Sequence, residues 1–110
     1  MLMLPDVKVY LSTAATDMRK SFDGLAQLVK QEMGKDIFTG ELFVFFNRGG
    51  SRVKVLYWDR NGYCLWAKRL ERGNFHRPKV LGKVAPMHLN ELSLLLEGID
   101  LTHKQRLTSI

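Results

Sequence analysis

Two runs of alternating residues constrain this chain more than any other feature: RVKVLYW at 52–58 and YCLWAKRL at 63–70, with DRNG between them. Apolar side chains recur at every second position, the period of a strand rather than a helix. Asn61-Gly62 at the junction is a strong hairpin signal. A two-residue turn there pairs Arg60 with Tyr63, Trp58 with Leu65, Leu56 with Ala67 and Lys54 with Arg69. One face then carries Val53, Val55, Tyr57, Cys64, Trp66, Lys68 and Leu70, fit for packing on helices. The other carries Arg52, Lys54, Leu56, Trp58, Arg60, Tyr63, Leu65 and Arg69. A four-residue turn preserves these faces; a three-residue turn with a bulge would break them.

The flanking segments extend the sheet. VKVYL at 7–11 alternates as a strand with Val7, Val9 and Leu11 on one side. LFVFF at 42–46 reads as a buried strand, and NRGGS turns it into the hairpin, which predicts an antiparallel meander. KVLGKVAP suggests a short edge strand near Val84, limited by Pro86. Between the first two strands, Met18, Phe22, Leu25, Val29 and Met33 recur at helical spacing up to Gly34, a natural stop. Thr16 or Asp17 caps this helix, or Ser21 does if residues 18–20 form a separate turn. Gly24 inside it suggests close packing on the sheet. A last helix over about 88–97 has Leu89, Leu92, Leu95 and Leu96 as its stripe, Glu91 at capping-box spacing from His88, and Gly98 at its end. The expectation is an α+β fold: an antiparallel β-meander of about four to five strands with two helices packed on one side. The 110 residues suit one domain, with a frayed tail from about residue 101.

Charge is concentrated in the hairpin region. Residues 48–83 hold ten cations and two acids, a net charge of +8, whereas the rest of the chain sums to −2. Such asymmetry points to a polyanionic partner, most often nucleic acid. No apolar run approaches the roughly 20 residues of a membrane span, and the leading MLML is too short for a signal peptide. The lone Cys64 forms no internal disulfide and suits a reducing cytoplasm.

The basic and aromatic face is the candidate nucleic-acid site: Arg48, Arg52, Lys54, Trp58, Arg60, Tyr63, Arg69 and Arg72. Lys54 opposite Arg69 would be a destabilising like-charge pair that a bound phosphate relieves. Trp58 and Tyr63 could stack on bases, or pack against a neighbouring element or subunit. Arg48 and Arg52 flank two glycines in NRGGSR, where backbone N–H groups can approach an anion, although a plain hairpin loop explains the same residues. Thr16, Asp17, Arg19 and Lys20 form a polar cluster that reads as a cap with a solvated turn, or as a site. Catalytic chemistry is not indicated. The carboxylates are scattered, and His76, His88 and His103 lack metal-ligand spacing with Cys64. Cys64 falls on the core-facing side as an apolar filler. No cofactor or metal is expected, and no enzyme activity.

Three segments carry a resemblance: TDMRKSFDGL at 16–25, LFVFFNRGGSRVKVLYWDRNGYCLWAKRLERGNF at 42–75, and LLLEGID at 94–100. Together they resemble the small TnpB-type, Orf2-like accessory proteins of insertion-sequence family sixty-six, over nearly the whole chain. These are not the RNA-guided nuclease that shares the letters, for whose catalytic domain 110 residues leave no room. The resemblance implies a bacterial protein of transposition, encoded beside a separate transposase that carries the acidic catalytic residues. That transposase is the partner this implies, beside the DNA to which the charge points, with self-association as a further option. No catalytic residue carries over. The chain departs from the family pattern at His88-Leu89, where relatives often have Thr-Pro, and in a tail poorer in arginine and tryptophan.

Overall fold

A computed structural model describes residues 7–98. The expected frayed tail lies outside the described residues. Five strands form one sheet: β1 (Val9–Ser12), β2 (Leu42–Phe46), β3 (Arg52–Asp59), β4 (Gly62–Arg69) and β5 (Val84–Met87), in spatial order β4-β3-β2-β1-β5. Helix α1 (Phe22–Gln31) lies between β1 and β2 in the chain, and α2 (Leu89–Leu96) follows β5. The fold is α+β, as expected.

Its sheet is mixed rather than purely antiparallel. The meander β2-β3-β4 is antiparallel throughout, but β1 pairs parallel with β2, Val9 against Leu42 and Leu11 against Val44. The long connection through α1 allows this, because a parallel partner needs a crossover rather than a tight turn. The edge strand at Val84 forms as expected, antiparallel to β1, with Pro86 on the outermost strand where a missing N–H is tolerated.

The helices do not share one side; they cover opposite faces. Leu25, Val29 and Met33 of the α1 segment pack with Phe43, Phe45 and Leu56. Leu92, Leu95 and Leu96 of α2 pack with Val44, Phe46, Val53 and Val55. The reason lies in β2, which is apolar and buried at all five positions. A strand apolar on both faces requires cover on both.

Helix α1 starts at the last of its three candidate caps, Ser21, and the preceding residues form a separate turn. Gly24 does not meet the sheet: a Cβ there would lie 3.3 Å from the Lys20 side chain. The segment expected as a loop before β2 contains a short 3-10 helix, Ile37–Thr39, whose N-cap Asp36 accepts a hydrogen bond from the Phe38 N–H. At α2 the Glu91 carboxylate accepts from the His88 N–H at 3.0 Å, one half of the capping box read from the sequence.

Candidate functional site

The hairpin's two faces are those read from the sequence, but its register differs by two residues. Trp58 pairs with Tyr63, Leu56 with Leu65, Lys54 with Ala67 and Arg52 with Arg69, and the loop is Arg60-Asn61. A shift of two leaves every side chain on its own face, so alternation alone cannot choose between the registers. Cross-strand chemistry does. The observed register sets leucine against leucine and ring against ring, where the alternative opposes Leu56 to Ala67 and Arg60 to Tyr63. The like-charge opposition therefore falls on Arg52 and Arg69, not on Lys54 and Arg69.

The eight candidate residues separate into three settings. Arg48, in the β2–β3 turn, and Arg52, Arg69 and Arg72 are exposed and lie at one end of the hairpin. Trp58, Arg60 and Tyr63 lie at the other. Seven residue steps along β3, from Arg52 to Asp59, put roughly 23 Å between the two ends. Lys54 is in neither group. Its half-buried ammonium donates to the Met18 and Lys20 carbonyl oxygens, at 2.8 and 2.7 Å, and ties β3 to the turn ahead of α1. Lys68, on the other face, similarly donates to the Leu96 carbonyl at the end of α2. Two of the hairpin's cations thus act as internal ties.

The β2–β3 turn is held from outside. The Arg77 guanidinium donates to the carbonyls of Asn47, at 3.2 Å, and Arg48, at 3.4 Å, and lies over the Phe46 ring. The Phe75 N–H donates to the Gly50 carbonyl, and Phe75 itself is buried against Phe46. Gly50 has φ +76°, and a Cβ there would come within 2.9 Å of the Arg77 guanidinium. Within the turn, Asn47 Oδ1 accepts from the Arg52 N–H. The glycines of NRGGSR therefore serve a clamped turn that projects Arg48 and Arg52.

Two further features join the site. The first is Arg19, from the cluster the sequence read as a cap or as a site. The Thr16 N–H donates to the Phe46 carbonyl, which brings the TDMRK turn beside the β2–β3 turn. There Asp17 accepts from both the Arg19 guanidinium, at 2.7 Å, and the Arg19 N–H. The Arg19 side chain holds the Asp17 carboxyl down at about 2, below its ordinary 3.8. The short spacing of Asp17 and Arg19 was the available signal. The second is Phe38. Its ring, 59% exposed, sits 4.9 Å from Trp58 and 6.4 Å from Tyr63, and Trp58 meets Tyr63 at 5.1 Å. Phe38 comes from a distant loop that periodicity did not place.

Cys64 pairs with Tyr57 on the α2 face, half-buried. Burial pushes the Tyr57 phenol up, and the Cys64 thiol adds to the shift. Among the described residues no three of His, Cys, Asp and Glu gather as a metal-holding group. No described helix is long and apolar enough to cross a membrane.

The model of the family described as "IS66 Orf2 like protein" matches residues 7–106. The chain belongs to the IS66 Orf2-like family. Similar chains include two from Sinorhizobium fredii, named as uncharacterized proteins y4hO and y4jC. The first is 42% identical, over 94% of this chain and 92% of its own length. The second is 34% identical, over 91% and 86% respectively. No solved structure matches the chain. For this Orf2-like chain the family match spans both ends of the hairpin and the TDMRK turn.

Proposed function

We propose that this IS66 Orf2-like chain is a non-catalytic accessory protein of transposition that binds DNA through the arginine end of its β3–β4 hairpin. One observation carries the reading. Arg52 and Arg69 stand directly opposite each other, both exposed, beside the Arg48 turn. Like charges so placed cost stability, and a phosphate between them turns that cost into a contact. Among the described residues Arg69 has Glu71 at 3.2 Å, while no carboxylate forms an ion pair with Arg48 or Arg52. The lone Cys64 supports work in the reducing cytoplasm.

The test is a mobility shift with element-end and scrambled DNA at two salt concentrations. Binding should fall steeply with salt, and Arg52→Ala or Arg69→Ala should each weaken it by about tenfold or less while lowering the salt slope by roughly 0.9. No shift at low salt would sink the reading.

A second reading concerns the far end. The ring trio of Phe38, Trp58 and Tyr63, exposed at Phe38 and half-buried at the other two, favours docking on the separate transposase, since aromatic clusters anchor protein interfaces. Leu56, on the same face, is fully buried under α1 and contributes nothing there. Co-purification with the transposase after nuclease treatment, lost in Trp58→Ala, supports this reading; an undiminished complex rejects that surface.

A further inference from the structure

We infer that the arginine end and the TDMRK turn form one continuous groove for the phosphate backbone of double-stranded DNA, with the ring trio outside it. The inference rests on the DNA reading above and adds to it a substrate form and a second wall.

Two open clefts carry it. One, of about 370 Å3, is lined by Arg52, Lys54, Arg69 and Glu71. The other, of about 460 Å3, is lined by Asp17, Arg19, Arg48 and Arg52. They adjoin, with Met18 and Arg52 lining both. Arginines thus line the joined groove from both the TDMRK turn and the hairpin. Lys54 fixes this arrangement, because its bonds to the Met18 and Lys20 carbonyls hold the TDMRK turn against β3.

No aromatic ring lines either cleft. Binders of single strands rely on rings that stack on splayed bases. Here the rings stand towards the opposite end of the hairpin, Trp58 lying roughly 20 Å from Arg52 and roughly 13 Å from Lys54 along β3. What remains in the groove is contact with phosphates, and a duplex presents these at the higher charge density, with a larger counterion release per contact than a single strand. The groove's two acids, Asp17 and Glu71, each pair with one of its arginines, Arg19 and Arg69. The exposed Arg69–Glu71 pair is weak, so a phosphate displaces that carboxylate at little cost, whereas Asp17 accepts from two nitrogens of Arg19 and yields it at a higher one.

Fluorescence anisotropy with a labelled 20-base-pair duplex, and with one of its strands alone, tests the groove across a salt series. The duplex should bind more tightly. Arg19→Ala, at a side chain 92% exposed, should weaken duplex binding several-fold, with Arg19→Lys recovering part of the loss. Glu71→Gln should tighten it by about twofold, the scale of one exposed ion pair. Trp58→Ala and Phe38→Ala should leave it unchanged. Equal or tighter single-strand binding that Trp58→Ala weakens overturns the groove while the DNA reading stands. Unaltered affinity in Arg19→Ala beside a loss in Arg52→Ala removes the second wall. Binding of neither form overturns the DNA reading and the groove with it.

Discussion

Arg60 sits in a conformation that few side chains adopt. Its φ of +53° makes it the one non-glycine residue with positive φ among those described. The Asn61 N–H bonds back to the Asp59 carbonyl across it. The neighbouring Asn61-Gly62 has the composition for such a turn but lies one place too late, because cross-strand pairing sets the register. A β-carbon in the left-handed region costs roughly 1–2 kcal/mol, and asparagine bears it better. Arg60→Asn should therefore raise stability by up to about 1 kcal/mol, seen as a higher urea midpoint at unchanged slope. An unchanged or lower midpoint would show that the turn carries no such strain. The faces of the hairpin were legible from alternation alone, whereas its pairing partners were not, since two registers satisfy the same alternation.

At the scale of elements, the lysines of the hairpin tie neighbouring segments together. Lys54 joins β3 to the turn before α1, and Lys68 joins β4 to the end of α2, so one strand pair anchors both helical layers. Hydrogen bonds from a charged donor are worth about 1.5–3 kcal/mol. Lys54→Ala should thus cost stability on that scale, read by chemical denaturation. Full stability in Lys54→Ala would return this residue to the surface cations. Composition could not make this distinction: a lysine on a strand has the same alternation whether its ammonium meets solvent or two carbonyls. The same limit explains the helices. The stripes of α1 and α2 were both readable, but their placement on opposite faces depends on β2, whose unbroken LFVFF admits no polar side. The start of α1 at Ser21 and the placement of Phe38 beside Trp58 were decided by tertiary packing, which short-range patterns do not encode.

Across the molecule, the sheet joins distant parts of the chain. The meander β2-β3-β4 is built from neighbours in sequence, while β1 finds one partner through α1 and the other, β5, more than seventy residues later. Native-state hydrogen exchange should reflect this. Amides of β2 and β3, paired on both sides and buried, should exchange last, and those of β5, an edge strand with Pro86 inside it, well before them. Equal protection in β5 and β2 would indicate a single cooperative unit instead. Synthesis meets the same asymmetry. As the chain leaves the ribosome, β1 emerges first, yet the partner for its outer edge arrives only with Val84–Met87, and α2, which covers Val9 and Leu11, arrives later still. A nascent or prematurely terminated chain therefore displays an open apolar edge, the template for pairing with another copy. Synthesis through Leu96 is what closes it.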